Sequence, residues 1–152
     1  MNMLFCGVYR EDYSGINEWN TKNVVSMSGM FMDCKDFNES LSFDTSNVVD
    51  MSFMFWGCKK FNKTCNFDTR NVISMQAMFS GCEKFNKPLR FDTSKVSDMH
   101  AMFHRCSEFN QELDFDTSSV LMMASMFNKC DSLEKLPKFY TDFMAKADNK
   151  SC

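Results

Sequence analysis

Cysteine is the residue type whose spacing in this sequence could most readily support chemistry. Five of the eight cysteines recur every 24 residues, and we call this set the cysteine column: Cys34, Cys58, Cys82, Cys106 and Cys130. Thiols at a fixed spacing could form a ladder of disulfides or bind a series of metal ions. A disulfide needs Cα atoms about 4.4–6.8 Å apart, a separation that we expect neighbouring members to exceed, and no Cys-x-x-Cys pair is present for zinc. The sequence therefore predicts reduced cysteines packed as small apolar side chains, with a disulfide or a metal site as the alternatives.

A pair of histidines offers a second possible metal site. His100 and His104 lie four residues apart, so a helix would place both imidazoles on one face. Two ligands do not complete a zinc site, and Ala101 stands where the HExxH motif has its glutamate. We predict that both histidines are exposed surface residues without a metal.

Two sets of polar residues repeat at the same interval. The aspartate column comprises Asp44, Asp68, Asp92 and Asp116, and the asparagine column comprises Asn38, Asn62, Asn86 and Asn110. Stacked carboxylates could bind Ca²⁺, but a calcium loop supplies several oxygen ligands from one segment and the sequence has no such loop. We predict that the aspartates cap local turns and that the asparagines form a buried amide ladder. Among the glycosylation sequons, only the one at Asn149 is then accessible.

No group of nucleophile, base and orienting residue in the sequence resembles a known catalytic motif. We therefore predict no catalytic residues and no cofactor. A metal-dependent enzyme is the weakest of the functional hypotheses.

The positions of all these residues follow from a repeat of 24 residues, whose copies start at Trp19, Phe43, Phe67, Phe91 and Phe115. A fixed period of this length is typical of stacked coils. The sequence thus predicts five coils over residues 19–138, an N-terminal cap over residues 1–18, and a C-terminal capping helix with a tail over residues 139–152. Pro137 suits the start of that helix.

Each copy carries two local patterns. Val48, Met51, Met54 and Phe55 have the spacing of one helix face, and the Leu-x-Phe sequence that precedes most copies alternates as a short strand does. The fold predicted from these patterns is an α/β solenoid, leucine-rich-repeat-like, in which every coil has a short parallel strand on the inner side and a helix on the outer side.

The repeat FDTSNVVDMSFMFWGCKKFN, which starts at Phe43, resembles the BspA-like leucine-rich repeat, also described as the bacterial surface protein 26-residue repeat. The similarity covers about four-fifths of the chain. It implies a leucine-rich-repeat fold without a catalytic centre and a role in extracellular adhesion or host interaction.

Charge and hydropathy restrict the partners. The net charge is -3 with 24% charged residues, so no basic stripe predicts nucleic-acid binding. No apolar run approaches the roughly 20 residues of a membrane helix, and the segment MNMLFCGVYRED lacks the features of an export signal. We predict a cytoplasmic monomer that is not inserted in a membrane, or a cell-surface protein if the chain is part of a longer exported one.

Residues that depart from their column are candidates for binding rather than packing. Trp56 shares its column with Met32, Ser80, His104 and Asn128, and Phe53 shares its column with Gly29, Ala77, Ala101 and Ser125. We predict that Met32, Phe53 and Trp56, called the Trp56 patch below, form an outward apolar surface bordered by Lys59 and Lys60 that binds a partner protein. Two alternatives are that Trp56 only shields the layer beneath it, and that the partner binds the concave face at Ser42, Asn66, Arg90 and Asp114.

The function predicted from these features is that of a non-catalytic protein–protein interaction scaffold. The alternative is a cell-surface adhesion or host-interaction protein, as the family resemblance implies.

Overall fold

The computed structural model of the protein describes residues 4–7 and 12–148. Its regular elements are a short 3₁₀ helix, Ile16–Glu18, and one α-helix, Lys138–Asp148, which we call α1. In residues 19–137 the chain forms neither an α-helix nor an extended strand. The strand-type pairing between successive coils there is limited to isolated parallel bridges. These bridges pair Ser26 with Asp50, Asp50 with Ser74, Ser74 with Asp98, and Asp98 with Met122.

The predicted α/β solenoid with a strand and a helix in each coil is therefore wrong. The Val-Met-Met-Phe segments are not helical, because their N–H groups do not bond to the carbonyl four residues before, as an α-helix requires. Instead, alternate N–H groups reach into the next coil. Phe53 N–H donates to the Gln76 carbonyl at 2.8 Å, and Phe55 N–H donates to the Met78 carbonyl at 2.9 Å.

The remaining N–H groups, which alternate with those bonded to the next coil, close tight turns within their own coil. Met54 N–H donates to the Met51 carbonyl at 3.3 Å, and Cys58 N–H donates to the Phe55 carbonyl at 2.9 Å. The third residue of each turn has a positive φ, 58° at Phe53 and 74° at Gly57, as in a type II turn. A helix cannot contain such residues, since every residue in it has a negative φ.

The same conformation recurs where the sequence has no glycine. Asp33, Arg105 and Lys129 occupy the column of Gly57 and have φ values of 58°, 60° and 61°. All five coils therefore take the same left-handed turn, with or without a glycine.

The predicted inner strand is also absent from the described residues. Leu41, Leu89 and Leu113 lie outside any strand or bridge. Their column contributes to the core instead: Leu89 is buried together with Cys65, and Leu41 and Leu113 are packed against the core while half-buried. The parallel bridges lie at the start of the turn segments, on the part of the coil that was predicted to be helical.

A continuous core runs through the stack, and its side chains are those that the sequence placed inward. Met51, Met54 and Phe55 are fully buried in the second coil, as are their equivalents in the neighbouring coils. The phenylalanine rings stack from coil to coil: Phe55 lies 5.6 Å from both Phe31 and Phe79, measured between ring centroids. Each such pair adds roughly 0.5–1.5 kcal/mol to the stability that burial supplies.

At each end of the stack, a segment outside the five repeats packs against part of the terminal coil. At the N-terminal end, residues 4–7 form part of a coil, in which Phe5 N–H donates to the Met30 carbonyl at 2.9 Å and the Phe5 ring stacks on Phe31. At the other end, α1 begins directly after Pro137. Its Phe139 ring stacks on Phe115 and its Tyr140 ring lies edge-on against Phe127 at 5.1 Å. Residues 1–3, 8–11 and 149–152, which include the sequon at Asn149, lie outside the described residues.

Candidate binding surface

The cysteine column is buried, and its thiols act as hydrogen-bond donors. Each thiol points to a phenylalanine carbonyl of the preceding coil, and the Cys58 Sγ to Phe31 carbonyl distance is 3.0 Å. Burial raises the pKa of the Cys58, Cys82 and Cys106 thiols well above the ordinary value. All seven cysteines of the described residues are free thiols. A protonated thiol is a poor nucleophile and a poor metal ligand, so this column contributes to packing.

The aspartate column caps turns, as predicted. Asp44 accepts hydrogen bonds from the backbone N–H of Ser46 at 3.0 Å and from its hydroxyl at 2.6 Å. These donors lower the pKa of the Asp44 carboxyl. The same turn recurs at Asp92, where Ser94 supplies both donors. In Asp44, Asp92 and Asp116 the Oδ1 atom is thus bonded within the residue's own turn.

The asparagine column forms a ladder between coils, which confirms the predicted structural role. The Asn62 N–H donates to Asn38 Oδ1 at 2.9 Å, and the Asn86 N–H donates to Asn62 Oδ1 at 3.1 Å. The side chains are not buried, however: Asn38, Asn62 and Asn86 are half-exposed at the surface of the stack.

The two histidines are half-buried, not exposed as predicted. Burial, followed by the nearby charges of Arg105 and Lys129, lowers the pKa of His104. Its Nδ1 atom has no hydrogen-bond partner within the described part of the chain. No three His, Cys, Asp or Glu side chains in that part are grouped so that they could hold a metal ion.

The structure brings the residues of the Trp56 patch to neighbouring positions, although not by a helix. Phe53 and Trp56 are the ends of one turn, since the Trp56 N–H donates to the Phe53 carbonyl at 3.0 Å. Met32 occupies the equivalent position to Trp56 in the preceding coil, and the adjacent Asp33 N–H donates to the Trp56 carbonyl at 2.6 Å. Trp56 is 40% exposed, and Phe53 and Met32 are half-buried.

The lysines beside the patch are paired with neighbouring coils. Lys59 lies 2.8 Å from a carboxylate oxygen of Glu83, and Lys60 lies 2.5 Å from one of Asp36. The positive border predicted from the sequence is therefore partly neutralised. The second surface considered from the sequence comprises residues that are all exposed and polar: Ser42, Asn66, Arg90 and Asp114.

One exposed apolar column was missed by the sequence reasoning. Val25, Val49 and Ile73 lie one above another, joined by hydrogen bonds from the Val49 N–H to the Val25 carbonyl and from the Ile73 N–H to the Val49 carbonyl, both 2.8 Å. Val25 is 55% exposed and Ile73 is 51% exposed. The recurrence of aliphatic residues next to the inward Val48 column was the available signal.

Comparison with known proteins gives a family and no curated or structural counterpart. One family model matches the chain twice, over residues 1–90 and 64–148. No curated protein and no solved structure matches it. Within the described residues, no helix has both the length and the apolar character needed to cross a membrane. The two matches together span nearly the whole chain, which therefore belongs to the family described as Mycoplasma protein of unknown function, DUF285.

Proposed function

We propose that this protein is a non-catalytic protein–protein interaction scaffold that binds its partner through the Trp56 patch. The observation that carries the proposal is the large aromatic side chain of Phe53 beside the exposed Trp56. Every coil has a positive φ at this position, 58° at Phe53, so the repeat itself requires the turn, but the other coils fill it with glycine, alanine or serine. A bulky residue in the left-handed region is uncommon.

The core does not explain why a large aromatic residue stands at this position. Phe53 is half-buried, while the smaller residues at the same position allow the other coils to stack with the same hydrogen bonds. Because Phe53 lies next to an exposed tryptophan, binding is the simpler explanation: large aromatic side chains dominate the energy of protein interfaces.

The thiols support a non-catalytic role. The three central members of the cysteine column have pKa values well above the ordinary value because they are buried. Such thiols are almost entirely protonated near neutral pH and are weak nucleophiles.

The binding proposal is tested by the double variant Phe53→Ser, Trp56→Ala. We expect it to fold, because serine already occupies the Phe53 column at Ser125 and small or polar residues occupy the Trp56 column. Val25→Ser is the matched control, since it removes an exposed apolar side chain outside the patch. Proteins captured by the immobilised wild type are identified, and the affinity of each for the three forms is then measured with purified components.

We expect the control to keep the affinity of the wild type and the double variant to lose at least tenfold. If the double variant binds every captured protein as tightly as the wild type does, the patch only covers the layer beneath it. Attention then passes to Ser42, Asn66, Arg90 and Asp114.

The compartment proposed for this scaffold is the cytoplasm, where thiols stay reduced. The support is that the five thiols of the cysteine column are buried donors, and a disulfide would remove their hydrogen bonds. Mass spectrometry after alkylation in denaturant without reductant should show eight modified cysteines. Two or more disulfides in native material would contradict this and favour the cell-surface adhesion alternative.

A further inference from the structure

Among residues 12–148, the C-terminal edge of the stack differs from the other coil edges in that α1, and not a further coil, lies against it. The chain leaves the stack at Pro137 and continues as α1. A cleft of 620 Å³ lies between the fifth coil and this helix, lined by Thr117, Val120, Leu121, Phe139, Phe143 and Lys146 among others. Leu121 is 78% exposed. This edge is separate from the Trp56 patch, and nothing argued for it depends on the proposed function.

The contacts between inner coils show which groups at a coil edge bind the next coil. Where the fourth coil covers the third, the Thr69 hydroxyl donates to the Asp92 carbonyl at 3.0 Å. The Ile73 carbonyl accepts from the Ser97 N–H at 2.9 Å, and the Met75 N–H donates to the Asp98 carbonyl at 2.9 Å. These three groups, together with the N–H groups of Ala77, Phe79 and Gly81, fix the register of the next coil.

The equivalent groups that line the cleft in the fifth coil are those of Thr117 and Leu121, whereas Met123 is fully buried. Across residues 4–7 and 12–148, neither the Thr117 hydroxyl nor the Leu121 carbonyl has a hydrogen-bond partner. An edge with unpaired donors and acceptors is a template on which an extended segment can add by backbone pairing.

We propose that this edge binds an extended segment of another polypeptide that has the Asp-Thr-turn-aliphatic pattern of this repeat. The occupant is specified by the chain itself, because segments of this pattern fill the equivalent edges of the inner coils. The added segment pairs with Thr117 and Leu121 and places its own side chains between Leu121 and the rings of Phe139 and Phe143. Both Lys146 and Asp142 line the same cleft, and the Asp142 carboxylate is already paired with Lys138.

The probe is a fluorescein-labelled synthetic peptide with the sequence of residues 92–98, DTSKVSD, which leaves out the phenylalanine whose place on Phe115 is taken by Phe139. In the proposed register its residue equivalent to Ser97 donates to the Leu121 carbonyl. The matched control peptide carries an N-methyl group on that residue, which removes one donor and keeps the side chains and the charge. Binding to the full chain is followed by fluorescence anisotropy.

Two protein variants locate the binding edge. Leu121→Asp places a charge on the proposed edge, and Val25→Asp makes the same kind of change in the same column of the first coil, whose carbonyl is already taken by the Val49 N–H. Both side chains are exposed, so both variants should fold. We expect saturable binding to the wild type and to Val25→Asp, at least fivefold weaker binding to Leu121→Asp, and at least fivefold weaker binding of the methylated peptide.

Equal binding of the two peptides, or equal binding to the two variants, would place the peptide elsewhere and overturn the proposal. Absence of saturable binding to the wild type would also overturn it.

Discussion

The stacking of coils can be tested through one column of threonines in which the same side chain has three different environments. Thr69 is 3% exposed, and its hydroxyl donates to the Asp92 carbonyl in the next coil. Thr21 is 2% exposed, but its hydroxyl has no hydrogen-bond partner within the described residues. Thr117 is half-buried at the open edge of the stack. Replacement by valine removes the hydroxyl in each case and changes the shape very little.

The expected effects have opposite signs. Thr69→Val removes a part-buried hydrogen bond between coils, so we expect a loss of about 0.5–1.5 kcal/mol in the free energy of unfolding. Thr21→Val removes a buried hydroxyl that gains nothing from its burial, so we expect a gain of about 1 kcal/mol. Thr117→Val should change the stability by less than about 0.5 kcal/mol.

Urea unfolding at 25 °C, followed by circular dichroism, measures all three changes. The midpoint should fall for Thr69→Val and rise for Thr21→Val, with the slope of the transition unchanged. A loss of equal size in both variants would refute the reasoning, because it would show that the bond between coils is not what distinguishes the two positions.

Three further predictions concern the core, the thiols and the turns. Met54→Asp should unfold the protein, since an uncompensated charge in the core costs several kcal/mol of a total that is about 5–15 kcal/mol; Phe79→Asp should do the same, and wild-type melting temperatures for both would contradict the described core. In native protein, iodoacetamide should modify the half-buried Cys6 before Cys82, because burial raises the pKa of Cys82; equal rates measured by peptide mapping would contradict this. The aspartate column has native pKa values below the ordinary 3.8, so its contribution to stability is complete above about pH 4 and is lost as the pH falls through the native values. The urea midpoint should therefore fall in this acid range, and a midpoint that does not change with pH would count against the capping role of the aspartates.

Much of this protein could be predicted from periodicity alone. The repeat of 24 residues aligned equivalent positions, and the apolar columns identified the buried side chains such as Met54, Phe55 and Cys58. The repeat also identified the turn-capping role of the aspartate column and the ladder formed by the asparagine column. These conclusions hold because burial and local capping depend on residue type and on position within the repeat, both of which can be read from one chain.

The path of the backbone could not be predicted in this way. The spacing of Val48, Met51, Met54 and Phe55 fits a helix face, yet consecutive turns with positive φ at Phe53 and Gly57 bury the same residues. Local spacing does not distinguish a helix from consecutive turns, since both place residues three and four positions apart on one side. Turns form instead of a helix because carbonyls of the next coil accept hydrogen bonds from the alternate N–H groups of Phe53 and Phe55.

The arrangement of the surface residues also depends on how the coils stack. The sequence indicated that Phe53 and Trp56 are neighbours, but for the wrong reason: a turn joins them, not a helix. The repeat aligned Val25, Val49 and Ile73, but only the structure showed that Val25 and Ile73 are exposed. Which groups remain unpaired at the end of the stack was decided in the same way, because a hydrogen bond between coils exists only where a further coil is present to supply its partner.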